Sequence, residues 1–349
     1  MPLIVLVSKL VIKGFYGINA SLDLGPLTLI TGSPGSGKSM VIELLWRVFR
    51  GLRDRVAFND LPRVGDSRID VTVMLDEWVR RRLEEVGYSG DTATISIDID
   101  DNAQVQVVKV GGKEVLVSEY RDGMSRVKYP VDTEVKDSSL LLNPEGLVPK
   151  GQALQLVGSA SEDYEATLTV IKALRDYLLS VGAYKLGPYI DFRGESRRPS
   201  DEVRDFVGEH GEYVVEALSQ LFADPRRDPD VRFLRKVLGE LGIRNFRAGW
   251  YGGRLVLSYI DRKGVTHMGD ELPCHVKTIL ALTTQLMIAR KRAVILLENA
   301  DYCLSEGLGQ VITRLLSNYI NDKQVIMEVR SKWLIDEVRM PHVVLYSID

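Results

Sequence analysis

The chain has 349 residues, 45% of them hydrophobic, with 45 Lys and Arg against 48 Asp and Glu for a formal net charge of −3. That apolar content suffices for a large core and the length allows two or three domains. The charge balance argues against wholesale electrostatic capture of nucleic acid, and Arg80-Arg81-Arg82, Arg197-Arg198 and Arg290-Lys291-Arg292 read first as solvated helix faces.

The apolar start at Leu3 breaks at Ser8-Lys9 and resumes to Ile12, which is too short for a membrane span and lacks a cleavage pattern, so it reads as a strand. No later run is long enough to cross a membrane, and a cytoplasmic protein is expected. The next apolar run, Leu27 to Ile30, leads into Gly32-Ser33-Pro34-Gly35-Ser36-Gly37-Lys38-Ser39, which fills every position of G-x-x-x-x-G-K-[ST] just before a helical pattern opening at Met40. A loop in that context aims backbone N–H groups and a helix N-terminus at phosphate, while Lys38 supplies a cation and Ser39 a hydroxyl for Mg²⁺. The glycines admit close backbone approach. Gly32 to Met40 are therefore the expected nucleotide cradle.

Ile69 to Val73 reads as a strand and the stretch through Glu85 as a helix. Thr92 to Ile99 alternates strictly, Gln104 to Val110 continues the alternation, and Gly111-Gly112 turns into Glu114 to Ser118, predicting an antiparallel sheet with one buried face. From about 161 to 241 the pattern turns helical, with Tyr164, Leu168, Ile171, Leu174, Leu178 and Val181 on one side of its first segment. Within it, Gly187-Pro188 to Arg198 reads as an ordered, exposed loop, first as a turn with solvated charges and alternatively as one from which Arg193 reaches nucleotide or nucleic acid. Sustained heptads are missing, which predicts a compact helical lobe.

After Leu255 to Ile260 the chain alternates helix and strand. A helix follows Glu271, Ala293 to Leu297 is an apolar strand ending in Glu298, a helix runs from about Ser305 to Tyr319, Gln324 to Glu328 is a strand, a short helix follows Ser331, and His342 to Tyr346 is a last strand. This predicts α/β architecture with a mainly parallel sheet whose strand C-termini collect the ligand site, so Lys38 and Glu298 are expected to converge. Cys274 and Cys303 stand in unlike contexts without metal-ligand spacing, predicting neither a disulfide nor a zinc site. His210, His267, His275 and His342 are scattered and read as surface or packing residues.

More than two hundred residues separate Ser39 from Glu298. With that spacing, Leu10 to Phe15, Pro26 to Gly32, Leu186-Gly187-Pro188 with Arg193, and Leu297-Glu298-Asn299-Ala300-Asp301 followed by Leu304 and Gly309-Gln310 resemble the RecF/SMC-like branch of ABC-type ATPases. The likeness is greatest to the single-chain AAA ATPases related to the OLD proteins, covering both ends well and the middle poorly.

The resemblance implies a P-loop NTPase with an ABC-type core, a mainly parallel sheet plus a flanking antiparallel one, and a helical lobe between its halves. The expected boundaries are 1–155, 156–245 and 246–349. It implies ATP with Mg²⁺ held by Ser39 and Glu298, Asn299 or Asp301 positioning the attacking water, and Arg330 at the place of a switch histidine. Asn299 stands where many members carry a second acid; a carboxamide holds water but cannot take its proton. Gln152 and Gln155 are alternative magnesium-sensing glutamines. Met268-Gly269-Asp270-Glu271 occupies the partner-facing signature position without its serine.

The implied activity is slow ATP hydrolysis in a nucleotide-dependent homodimer, serving DNA repair, maintenance or defence, with the helical lobe engaging DNA or a protein. The alternative is a non-hydrolysing ATP-binding regulatory module. An OLD-type nuclease needs a further acidic domain after the core, for which the sequence up to Asp349 leaves no room, so any nuclease is expected as a separate partner.

Overall fold

The computed structural model describes residues 3–51, 58, 61–101, 103–121, 124–129, 133–135, 162–196, 202–338, 340 and 342–348. Its strands begin with β1 (Val7–Phe15), β2 (Ile18–Asp23), β3 (Leu27–Gly32), β4 (Arg63–Met74), β5 (Thr92–Ile99) and β6 (Ala103–Val110). They continue with β7 (Lys113–Arg121), β8 (Met124–Tyr129), β9 (Thr133–Val135), β10 (Gly182–Leu186), β11 (Glu195–Ser196) and β12 (Arg244–Tyr251). The last are β13 (Arg254–Ile260), β14 (Thr266–Met268), β15 (Ala293–Leu297), β16 (Lys323–Glu328) and β17 (Val343–Ile348). The helices are α1 (Lys38–Gly51), α2 (Glu77–Glu84), α3 (Glu162–Ser180) and α4 (Val214–Ala223). After them come α5 (Asp228–Glu240), α6 (Cys274–Ile288), α7 (Gly309–Tyr319) and α8 (Lys332–Glu337). The chain divides into two compact units: Val5–Gly25, Gly32–Ala183 and Tyr346–Asp349 form one, and Met1–Ile4, Pro26–Thr31 and Tyr184–Leu345 the other.

The first unit is built on an eight-stranded sheet in the order β2-β1-β4-β5-β6-β7-β8-β9 with every neighbour antiparallel. Alternation makes one face: Ile69, Val71 and Val73 of β4 lie beside Ile97, Ile95 and Ala93 of β5, all buried. Each fully buried Val or Ile is worth about 2 kcal/mol against leaving it in water. β1 and β2 belong to this sheet as well, and the predicted Gly111-Gly112 turn joins β6 to β7. α3 presents buried Ile171, Leu174 and Leu178, as its periodicity predicts. It is pinned by the Tyr177 hydroxyl, which donates to the Met74 carbonyl at 2.6 Å, and burial pushes that phenol up to about 12.

The second unit holds a five-stranded sheet ordered β10-β15-β16-β3-β17, in which β15, β16 and β3 run parallel, with Leu296 beside Ile326, Met327 beside Leu29 and Glu328 beside Ile30. Every residue of β15 and β16 is buried, as a strand covered on both faces requires; β15 is wholly apolar, whereas β16 also buries Lys323, Gln324 and Glu328. α6 supplies much of that cover; its Thr283 and Thr284 hydroxyls, fully buried, donate to the carbonyls of Ile279 and Leu280 at 2.6 and 2.7 Å. The Gln285 carboxamide accepts from Val207 N and donates to the Asp205 carbonyl. A third, antiparallel sheet centres on β13, flanked by β12 on one side and by β11 and β14 on the other.

Two expectations are corrected. The run read as helical from 161 to 241 contains β10 between α3 and α4: five residues are too few for a period to show, and Tyr184 and Lys185 break its apolar appearance although both are buried. Cys274 and Cys303, read as unpaired, form a disulfide across Cα atoms 5.8 Å apart. Their 29-residue separation carried no signal because the folding of α6 against β15, not local spacing, brings them together.

Candidate functional site

The phosphate loop lies in the first unit and opens α1. Gly32, Gly35 and Gly37 have φ of 147°, 83° and 93°, the left-handed side on which only glycine is unstrained. Gly32 is also sterically obligatory, because a Cβ there would collide with the Ile348 carbonyl, whereas one at Gly37 would have to displace the end of the Ile18 side chain. Ser33, Pro34 and Gly35 form the exposed tip, whereas Lys38 is buried. The Lys38 ammonium donates to the carbonyls of Gly32 at 2.9 Å and Ser33 at 2.7 Å, with the Ser36 hydroxyl at 3.5 Å, so its charge is held over the loop's concave side. Ser39 and Met40 continue the first turn, where Met40 N and Val41 N both reach back to the Gly37 carbonyl.

The acidic strand lies in the second unit. Glu298 follows β15 directly, and its backbone N–H donates to the Leu186 carbonyl of β10 at 2.8 Å. Gly187 comes so close that a Cβ there would strike the Glu298 carbonyl. The Glu298 carboxylate meets the ammonium of Lys185 at 3.3 Å, and the same ammonium faces Glu209 at 3.8 Å. Lys185 is only 7% exposed.

Asn299 turns the chain with φ of 53°, tolerable for asparagine. Its side-chain amide donates to the Pro188 carbonyl at 3.1 Å and its backbone N–H to Glu328 Oε2 at 3.3 Å. Glu328, at the end of β16 and 1% exposed, also accepts from the Arg330 guanidinium at 3.3 and 3.2 Å. One Asp301 carboxylate oxygen accepts the backbone N–H groups of Arg330 at 3.0 Å and Ser331 at 2.5 Å. The structure thus brings Glu298, Asn299, Asp301 and Arg330 together at one edge of the sheet. A small open cleft adjoins Glu298 and Asn299, lined also by Leu186, Pro188, Tyr189, Leu282 and Tyr302.

At the signature position the exposed Asp270 accepts the Gly194 N–H at 2.7 Å, which places one of the two acids there in a structural contact. The disulfide joins the first residue of α6 to Cys303, so the helix following that turn and the loop following Glu298 are covalently tied. Arg193 is exposed, as expected, but its loop is anchored by buried Ile190, Phe192 and Gly194. Gln152, Gln155, Arg197 and Arg198 lie outside the described residues.

Lys185, Glu209 and Glu328 escaped sequence reasoning. Glu328 was legible in part, being a carboxylate that follows the apolar run Val325 to Met327, although Lys323 and Gln324 at the start of the strand blur the pattern that marks Glu298. Lys185 and Glu209 carried no such mark. His267, read as a surface or packing residue, bridges Glu271 at 2.5 Å and Asp261 at 3.2 Å and stacks on Tyr259.

No protein-family model and no curated protein matches the chain. It is similar to a solved structure described as the SMC head bound to the C-winged helix domain of ScpA, with 12% identity and a TM-score of 0.50 over 95% of this chain and 92% of that one. It is also similar to the SMC head domain from Thermotoga maritima, with 13% identity and a TM-score of 0.45 over 98% and 94%. A third likeness is the Smc head domain with an extended coiled coil bound to the C-terminal domain of ScpA from Pyrococcus furiosus, with 13% identity and a TM-score of 0.49 over 99% and 94%. At such identities the likeness is one of fold: an α/β chain with sheets of mixed orientation, like that of SMC heads. No helix among the described residues is long and apolar enough to cross a membrane.

Proposed function

We propose that the chain is an ATP-binding P-loop ATPase that acts as a slow nucleotide-dependent dimerisation switch. The observation that carries this reading is the loop Gly32 to Ser39, with its glycine-only backbone, its buried Lys38 ammonium over the concave side and its position at the N-terminus of α1. An SMC-head-like fold supports it, and so does the placement of Glu298 beyond β15, at the edge where β3 and β16 also end.

In this reading Lys38 neutralises phosphate charge and the α1 N–H groups orient the β-phosphate. Ser39 and Glu298 offer oxygen donors of the kind Mg²⁺ takes, since that ion is commonly held by one or two protein ligands plus substrate phosphates. When bound, it would neutralise charge developing on the transferred phosphoryl group. Asn299, through the Oδ1 that its bond to the Pro188 carbonyl leaves as an acceptor, or Asp301, through the oxygen not engaged with Arg330 and Ser331, orients the attacking water. Arg330 supplies the positive charge for the γ-phosphate, anchored by Glu328. With no second acid after Glu298, positioning without a strong base gives slow turnover.

The relation to OLD-type ATPases and the service in DNA repair, maintenance or defence belong to this proposal, as do a homodimer and a DNA or protein partner. The winged-helix domain carried by one SMC-head neighbour is a precedent for a protein partner. A cytoplasmic setting also belongs here, and there the Cys274–Cys303 bridge would have to persist against thiol reductants. The alternative, a non-hydrolysing ATP-gated module, is favoured by Asn299 where a base would stand and by the missing serine at Met268 to Glu271.

Single-turnover hydrolysis of labelled ATP with excess protein and Mg²⁺ decides between the two. Conversion above a Lys38→Ala blank is expected, with ATP affinity reduced at least ~100-fold in that variant. Glu298→Gln should retain ATP, lose about 10²–10⁴-fold in turnover and accumulate the ATP-bound dimer on size-exclusion chromatography with light scattering. Bound but unconverted ATP in the parent protein, with Glu298→Gln indistinguishable from it, assigns the non-catalytic module.

A further inference from the structure

The Glu298 carboxylate already has a cation. Lys185 lies 3.3 Å from it, inside a framework that leaves neither residue much room: β10 hydrogen-bonds to Glu298 N through Leu186, and Gly187, whose N–H donates to the Glu209 carbonyl at 2.9 Å, is packed onto the Glu298 backbone. An ammonium with 9% of its side chain exposed cannot be stripped of its partner cheaply, because a buried unpaired charge costs several kcal/mol. Here it has a second partner. Glu209, with 35% of its side chain exposed, faces the same nitrogen at 3.8 Å. One ammonium between two carboxylates can release one of them and keep the other.

We propose that Lys185 is the resting counter-cation of Glu298, that it competes with a divalent cation for this carboxylate, and that Glu209 receives it when it yields. Lys185 is then a positioning residue that sets how tightly the metal is held. This rests on the reading of Glu298 as the metal-holding acid. The physics is that of like charges: a +1 and a +2 ion cannot share a half-buried carboxylate without repulsion, and removing the +1 should tighten metal binding by at least about tenfold even at an effective dielectric near 20. A purely structural ion pair predicts the opposite, since losing Lys185 would let Glu298 wander and weaken the metal.

The test is Mn²⁺ affinity, read by electron paramagnetic resonance on protein carrying one equivalent of ATP, so that it does not depend on turnover. Lys185→Gln keeps a hydrogen-bond donor beside Glu298 but removes the charge, and is expected to lower the Mn²⁺ Kd about tenfold. Lys185→Arg, which keeps the charge, should stay within about twofold of the parent protein. Glu209→Gln, at a half-exposed position that should tolerate it, removes the ammonium's second partner and is expected to raise the Kd several-fold in the parent background and not in the Lys185→Gln background. If Lys185→Gln fails to fold, Glu209→Gln alone carries the test. An unchanged or higher Kd in Lys185→Gln, or an unchanged Kd in Glu209→Gln, overturns the competition. Glu298→Gln separates the two levels: if it leaves Mn²⁺ affinity untouched, the metal-holding reading of Glu298 fails first, whereas a Kd raised by Glu298→Gln with no gain in Lys185→Gln sinks only the role given to Lys185.

Discussion

Glu328 shows how much one buried carboxylate can organise. Its two oxygens accept from the Asn299 backbone and from the Arg330 guanidinium, so the turn after one parallel strand and the turn after the next are held by a single side chain. Glu328→Gln preserves shape but replaces a charge-assisted acceptor with a donor facing Arg330. Such a loss should cost about 2 kcal/mol, read as a lowered urea midpoint with an unchanged slope; under the function proposed above, it should also slow ATP turnover by loosening Arg330. Asp301 acts similarly through the Arg330 and Ser331 amides. The residues carrying chemistry in this reading are therefore held by neighbours that sequence motifs do not mark.

Between elements, the Cys274–Cys303 bridge ties the start of α6 to the loop beyond β15. Closing a loop of 29 residues restricts the unfolded chain by about 3.6 kcal/mol on the chain-entropy account. Reduction with excess dithiothreitol, or Cys274→Ser with Cys303→Ser, should lower stability by that order in chemical denaturation.

The β13–β14 hairpin carries a different fastening. Its hydrogen bonds to Glu271 and then to Asp261 hold His267 above its ordinary value. Those acids lie below theirs, Glu271 chiefly through His267 and Asp261 chiefly through the Val265 amide. The histidine's contribution is full below its unfolded pKa and disappears as pH rises through the raised folded one. The acids contribute above their unfolded pKa values and fail as pH falls through the lowered ones, so the clip is strongest from about pH 5 to about 6.5. Amide exchange at Thr266 to Met268, corrected for intrinsic rates, should quicken at pH 8.5 relative to pH 6, and His267→Asn should remove the difference.

At the scale of the molecule, legibility followed locality. The glycine-rich loop is eight consecutive residues, so its backbone and its place before α1 could be read directly, and long apolar or alternating runs such as Thr92 to Ile99 and Ala293 to Leu297 identified their strands within a residue or two. What failed to show was made by tertiary contact: β10 is too short to display a period, Lys185 meets Glu298 only because β10 pairs with β15, and the two cysteines meet only when α6 packs. A buried lysine looks like a surface lysine until its carboxylates are known.

The strand order has a consequence for synthesis. β3 is made early, yet its neighbours in the sheet are β16 and β17, and Leu27 pairs with Val325, 298 positions later. At about 5–20 residues per second, some 15 to 60 s separate the appearance of Leu27 at the ribosome from that of its pairing strand. Throughout that interval an apolar segment destined for a fully covered sheet has no sheet to enter. β3 therefore cannot gain its parallel partner early in elongation, and protection of the Leu27 to Ile30 amides from exchange should appear only once residues near 328 have cleared the exit tunnel.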